Sequence, residues 1–328
     1  MSELPEGLDE FVTASGWGGA AIEPIPGDAS FRRYFRLKRA DGRAGMLMYA
    51  PLPHEDPQPF LDVARWLREN GMRAPEILAQ HPREGWVLTE DFGNDRMRDW
   101  LDANPQDERK AYEGAVDALI DLHRRPAGPF PPYDLPTYLK EASLLVEWYC
   151  PAQSLRVDVD GYAAAWGEVL APLIERQAQP VTVLRDYHAE NIMLLGGTPS
   201  RPQGLIDFQD ALAGHRAYDL VSLLQDARRD VSLELEEAML QRYTDRVGAH
   251  ADFRADYARL GAQRNAKIVG IFTRLFKRDG KPRYLALIPR VWAAIERDLA
   301  HPALEPVAIW FATNIPQELR QSGGGTIT

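Results

Sequence analysis

The chain has one cysteine, Cys150, in 328 residues. No intramolecular disulfide can form, which is the thiol usage of a reducing compartment such as the cytoplasm. Long apolar runs are also missing. Every hydrophobic stretch falls well short of the ~20 residues that a membrane span needs. The opening MSELPEGLDEF carries acids where a secretory signal has a basic segment, and no apolar core follows, so it does not read as a signal peptide. Positive charge is in deficit. The formal net charge is −10 and the isoelectric point is near 5.3, which argues against general nucleic-acid binding. There is no internal repeat and no low-complexity stretch, and the G-G-G-T-I-T end reads as a frayed tail. What remains is an ordinary globular composition, 45% hydrophobic and 26% charged, long enough for two domains or one large one.

The basic residues are unevenly placed. Residues 259–290 hold Arg259, Arg264, Lys267, Arg274, Lys277, Arg278, Lys281, Arg283 and Arg290. Such a region in an acidic protein suggests either a local anionic ligand or a solvated helix face. The first ~95 residues read as strands. S-F-R-R-Y-F-R-L (30–37) follows a Gly27-Asp28 turn, and A-D-G-R (40–43) makes a hairpin into M-L-M-Y-A (46–50). A helix is expected at 57–70, from Pro57 to Asn70-Gly71. Strands are expected at 75–79 and 85–91. Beyond 96 helical periodicity takes over, at 106–125, 136–149, 159–178, 216–229, 232–247, 252–278 and 283–300. The exception is 181–208, where short apolar runs are split by polar loops.

In that exception, R-D-Y-H-A-E-N sets Asn191 five residues after Asp186. G-L-I-D-F-Q-D (204–210) then brings Asp207 to the end of another apolar strand. A carboxylate, an amide oxygen and a second carboxylate at strand ends are what phosphoryl transfer uses. The first orients and deprotonates the attacking hydroxyl, and the other two are hard oxygen ligands for Mg²⁺. Protein kinases write this set as H-R-D-x-x-x-x-N followed by D-F-G. The spacing alone is weak evidence, and the strand–turn–strand setting with a small sheet upstream strengthens it. Asp186, His188 and Glu190 can also be read as metal ligands of a metallohydrolase. In a tight loop, however, His188 and Glu190 diverge from Asp186.

With these residues the chain resembles the aminoglycoside phosphotransferase and choline kinase-like family over nearly its whole length. A-Y-D-L-V-S-L-L (217–224) looks like that family's R-Y-D-L-A segment, and A-L-I-D-L-H (118–123) like its L-x-x-L-H helix. Three further segments, 27–36, 206–211 and 264–275, resemble the anomeric N-acetylmuramate/N-acetylglucosamine kinases of bacterial cell-wall recycling. The resemblance implies an α+β, bilobal protein-kinase-like fold, with a β-rich N-lobe over 1–93 and a helical C-lobe over 94–328. It implies ATP and Mg²⁺ as cofactors, an amino sugar as the small-molecule partner, no nucleic-acid or membrane partner, and a cytoplasmic location. Asp186 would be catalytic, Asn191 and Asp207 would hold the metal, and Asp219 would brace the catalytic loop. T-E-D-F-G (89–93) matches the family's hinge, so Thr89, Glu90 and Asp91 would meet adenine through backbone groups. His188, Arg264 and Lys267 would touch the sugar, where a basic pair suits the lactyl carboxylate of N-acetylmuramate.

Two departures stand out. Leu184-Arg185 replaces the usual His-Gly before the catalytic Asp. The third strand, M-L-M-Y-A-P, lacks the lysine that steadies ATP phosphates, and Met48 or Tyr49 stands near its place. Arg33 or Arg36, near the turn carrying Ala29 and Ser30, is expected to supply that charge, and their opposite strand parity lets at most one face the nucleotide. Ser30 would cap phosphates through its backbone N–H. Kinases of the same fold acting on an aminoglycoside, choline or homoserine remain open, as does a nucleotide-binding pseudokinase.

Overall fold

The computed structural model describes residues 4–26, 31–198 and 202–327. The chain divides into two compact units. One comprises Met1–Pro105 and Glu190–Asp210, the other Gln106–Ala189 and Ala211–Thr328. Among the described residues no helix is long and apolar enough to cross a membrane.

The first unit is built on an antiparallel sheet of order β1-β2-β3-β5-β4. Its strands are β1 (Ala21–Ile25), β2 (Arg33–Lys38), β3 (Ala44–Tyr49), β4 (Ile77–His81) and β5 (Trp86–Glu90). The hairpin expected at 40–43 forms because Gly42 takes φ +85°, a conformation that side chains with a Cβ resist. Both faces of the sheet are apolar. Phe35, Leu37, Leu47, Trp86 and Leu88 pack with Leu8, Phe11 and Val12 of helix α1 (Leu8–Val12) and with Trp17. On the other face Met48 and Val87 pack with Leu61 of helix α2 (Gln58–Glu69), joined by Tyr34, Phe60 and Ile77. The register pairs Tyr34 with Met48 and Met48 with Val87, which fixes these residues on one side. A hairpin of Ile192–Leu194 with Gln203–Leu205 completes the unit. It is tied down by Leu194 N–H donating to the Asp95 carbonyl (2.7 Å) and Leu205 N–H to the Arg73 carbonyl (2.9 Å). Helix α3 (Met97–Ala103) meets the same hairpin, through a bridge between Arg96 and Met193.

The second unit is helical, with α4 (Glu108–His123), α5 (Leu135–Ala142), α6 (Val159–Arg176), α7 (Tyr218–Leu224), α8 (Leu233–Val247), α9 (Phe253–Lys277), α10 (Ile288–Leu299) and α11 (Glu305–Asn314). A short pair, Val181–Val183 with Leu212–Gly214, is embedded among them. The helix expected over 216–229 stops at Leu224. The Asp226 carboxylate takes the N–H of Arg228 (2.8 Å) and of Ala189 (3.3 Å), so its side chain competes with further helix. The periodicity over 136–149 resolves into α5 and then a wider turn at Leu145–Tyr149. In that turn Tyr149 is buried, its ring 4.9 Å from that of Trp292. Cys150 lies beside it, its thiol pushed up to about 12 by burial and therefore held in the protonated form.

Helix α9 is the axis of this unit, buried along most of its length. It crosses the turn before residue 145 so closely that a Cβ on Gly270 would stand 2.3 Å from the Leu144 backbone. Gly167 in α6 has nothing within 4 Å of the same position. The two glycines therefore respond oppositely to alanine. Gly270→Ala lowers stability by about 1–3 kcal/mol through overpacking. Gly167→Ala raises it by about 0.5–1 kcal/mol by restricting the unfolded chain. Urea unfolding midpoints of the two variants check the signs.

Candidate active site

The loop after Val181–Val183 is held from α7. Asp219, fully buried, accepts the backbone N–H of Leu184 at 2.7 Å on one carboxylate oxygen and that of Arg185 at 2.9 Å on the other. One helical turn later the Ser222 hydroxyl donates to the Arg185 carbonyl (3.0 Å) and accepts from Arg264 Nη2 of α9 (2.7 Å). These contacts fix Arg185 at φ +69°, a left-handed backbone rare outside glycine. The chain then turns tightly, with Asp186 N–H donating to the Leu184 carbonyl (2.8 Å) and His188 N–H to that of Asp186 (3.1 Å). The Tyr187 hydroxyl anchors the loop to the Ala115 carbonyl of α4 (2.9 Å).

Arg185, which stands where the family has glycine, points its guanidinium at Glu141 of α5. Glu141 also pairs with Lys267 (3.1 Å) and accepts from the Tyr133 hydroxyl, while Lys267 donates to the Tyr218 hydroxyl (2.6 Å). One buried carboxylate thus stands between two cations. Burial alone would raise the Asp186 carboxyl, but the charges of His188, Lys267, Arg264 and Arg185 outweigh it and hold the group below the usual carboxylate range. Burial also depresses His188, which is then neutral near pH 7, so the permanent cations carry the effect. For Asp219 the balance goes the other way. Burial pushes it up to about 7 against the two N–H bonds and Arg264, and the Asp186 charge adds to the rise.

The first unit carries the other two residues of the motif. Asn191 Nδ2 donates to Asp207 Oδ2 at 3.2 Å, and Gln209 Nε2 donates to Asp207 Oδ1 at 3.0 Å. Asp207 is itself left-handed, at φ +61°. Phe208 behind it stacks on Phe60 of α2 with ring centres 5.1 Å apart, which sets the strand end against the helix. An amide oxygen and an exposed carboxylate this close are a hard, sparse donor set. That suits Mg²⁺, which keeps several of its waters. Glu190, the third residue of the alternative metal reading, is paired with Arg98 at 2.6 Å.

The expected nucleotide residues fare unevenly. Ser30 and Ala29 lie outside the described residues. Thr89 is buried and donates to the Met46 carbonyl (3.2 Å). Glu90 gives its N–H to the Glu76 carbonyl (2.8 Å) and its carboxylate to Arg73, so its amide is engaged within the unit. Arg36 is engaged within the first unit. It clasps the loop after β5, bonding Asp91 (3.0 Å), the Gly93 carbonyl (2.9 Å) and Asn94 (2.6 Å). Arg33 shares the sheet face of Phe35, over whose ring it sits at 5.4 Å. That is the face covered by α1, opposite to Met48 and α2. The basic stretch 259–290 is partly spent on acids. Arg259 pairs with Asp256, Arg278 with Asp279 and Arg290 with Asp230. Sequence reasoning passed over Glu141, Ser222 and Gln209. Ser222 was legible as the residue one turn beyond Asp219, but Glu141 carries no local signal.

The chain belongs to the phosphotransferase enzyme family, whose sequence model matches residues 21–262, and it has a protein-kinase-like fold. It is similar to the N-acetylmuramate/N-acetylglucosamine kinase of Caulobacter vibrioides, at 36% identity over 98% of this chain and 99% of the relative. The enzyme of the same name from Pseudomonas aeruginosa is 38% identical over 89% of each chain. Among solved structures, the streptomycin–ATP–APH(2")-IIa ternary complex superposes with a TM-score of 0.61 at 14% identity, covering 92% of this chain and 98% of the other.

The Asp219 grip gives a direct test. Asp219→Ala leaves two buried N–H groups without an acceptor and costs about 3 kcal/mol of stability. Amide hydrogen exchange at Leu184 and Arg185 accelerates in the same variant.

Proposed function

We propose that the chain is an ATP-dependent sugar kinase that phosphorylates the anomeric hydroxyl of N-acetylmuramate or N-acetylglucosamine in cell-wall recycling, in the cytoplasm. The observation that carries this reading is the near full-length similarity to relatives bearing that name, on a chain that retains Asp186, Asn191 and Asp207. Asp186, ionised at neutral pH, takes the proton of the C1 hydroxyl as the oxygen attacks the γ-phosphorus. The bond from that phosphorus to the β,γ-bridging oxygen breaks, giving the sugar 1-phosphate and ADP, and Asp186 later releases its proton to water. Asn191 and Asp207 would hold Mg²⁺, which supplies charge neutralisation at the phosphates. The rest of the rate comes from positioning. Asp219, Ser222 and Arg264 support the catalytic backbone and contribute through that support.

Asp186→Ala is expected to cut turnover roughly 10²–10⁴-fold or more while ATP binding persists. ATP consumption over N-acetylmuramate, N-acetylglucosamine, kanamycin, choline and homoserine tests the substrate. Turnover confined to one of the last three would replace the reading. ATP binding with no turnover on any of them would favour the pseudokinase.

The pH dependence has a defined sign. A depressed Asp186 pKa puts its acid limb in kcat/KM below the ordinary carboxylate range. Lys267→Met removes a cation that favours the ionised form, so the pKa rises and the limb moves to higher pH. A pH–rate profile of the variant reads the shift.

A further inference from the structure

Resting on the ATP-dependent reading above, we propose that Arg32, held by Glu55, supplies the phosphate-binding cation that the third strand lacks. Met48 occupies the middle of β3, 2% exposed and packed with Leu61 and Val87. Tyr34 stands across from it, the Tyr34 hydroxyl donating to Met48 Sδ at 3.6 Å. Arg32 lies two residues before Tyr34, so it shares that residue's parity, and its charge acts on the same hydroxyl. It therefore faces α2, on the side of the sheet where Phe60 stacks against Phe208.

Arg32 Nη2 is 3.3 Å from the Glu55 carboxylate, with the side chains only 12% and 20% exposed. Solvent and salt screen such a pair weakly. Glu55 lies three residues before α2, whose first turn is fixed by Asp56 accepting the Gln58 N–H (2.9 Å). The pair thus joins the start of β2 to the start of α2. Burial raises the Tyr34 hydroxyl, Arg32 lowers it, and the charges of Asp207 and Glu55 raise it further. The guanidinium and the candidate metal carboxylate therefore both lie within electrostatic range of that hydroxyl inside the first unit. The two arginines expected from the sequence are placed elsewhere. Arg33 is on the opposite face, and Arg36 is engaged with the 91–94 loop. A guanidinium has five donors in a rigid fork, so it can serve Glu55 and a phosphate together, which a lysine in β3 would do as a point charge.

The test compares ADP with adenosine by titration calorimetry. Wild type and Lys38→Ala, a substitution in an exposed surface pair, bind both. Arg32→Ala is expected to weaken ADP on the order of 10–100-fold and to leave adenosine unchanged. Arg32→Lys restores part of the loss. Glu55→Gln weakens ADP less than Arg32→Ala does, since the guanidinium remains but is less well placed. Unchanged ADP affinity in Arg32→Ala, or a loss shared equally by adenosine, overturns the proposal. A wild-type protein that binds no ADP overturns the ATP reading itself and the proposal with it.

Discussion

Two backbone N–H groups meeting one buried carboxylate are the constraint on which the second unit is organised. Leu184 and Arg185 both donate to Asp219, and this fixes the direction in which the next side chain, Asp186, leaves the loop. The grip forces Arg185 into a left-handed backbone, a conformation that persists only where the surroundings over-determine it. Ser222 on the Arg185 carbonyl, Arg264 on Ser222 and Tyr187 on α4 provide that over-determination.

The same region solves an electrostatic problem. Asp186 and Asp219 are near neighbours of like charge, and burial opposes the ionised form of both. Replacing the family's glycine with Arg185 adds a cation beside Asp186. Glu141 then keeps that cation and Lys267 in place without a net excess of buried charge in the triad beyond one. The outcome is asymmetric. The carboxylate that would act as a base stays ionised, and the one that holds the backbone carries the raised affinity for a proton.

Much of this was legible in the sequence because it is written in local spacing. Asp186, Asn191, Asp207 and Asp219 sit in short segments whose residue types follow from phosphoryl-transfer chemistry or from the family's pattern, and the strand-then-helix order gave the fold class. The opposite parity of Arg33 and Arg36 was also readable. Which of them shares the face of α2 was not, because both faces of this sheet are apolar and alternation does not distinguish α1's side from α2's. The fate of Arg36 depended on a loop 55 residues away. Arg32, of the same parity as Arg36, lay within the strand expected over 30–37 and carried no signal that set it apart from Arg33 and Arg36. The basic stretch 259–290 suggested a patch because acids that meet it come from other elements, such as Glu141 and Asp230. The overlong helix at 216–229 reflects a side chain, Asp226, whose competition for backbone N–H groups periodicity cannot register.

Each unit is discontinuous in the chain. Glu190–Asp210 belongs with the first unit although it interrupts the second. On the ribosome, the N-terminal sheet emerges long before the hairpin that completes its unit, and domains generally fold as whole units during synthesis. The sheet must therefore wait, with the Phe60 surface uncovered, until Phe208 has left the exit tunnel. The order of synthesis thus makes the motif-bearing hairpin the last piece of the first unit to arrive, so its arrival sets when that unit can finish folding.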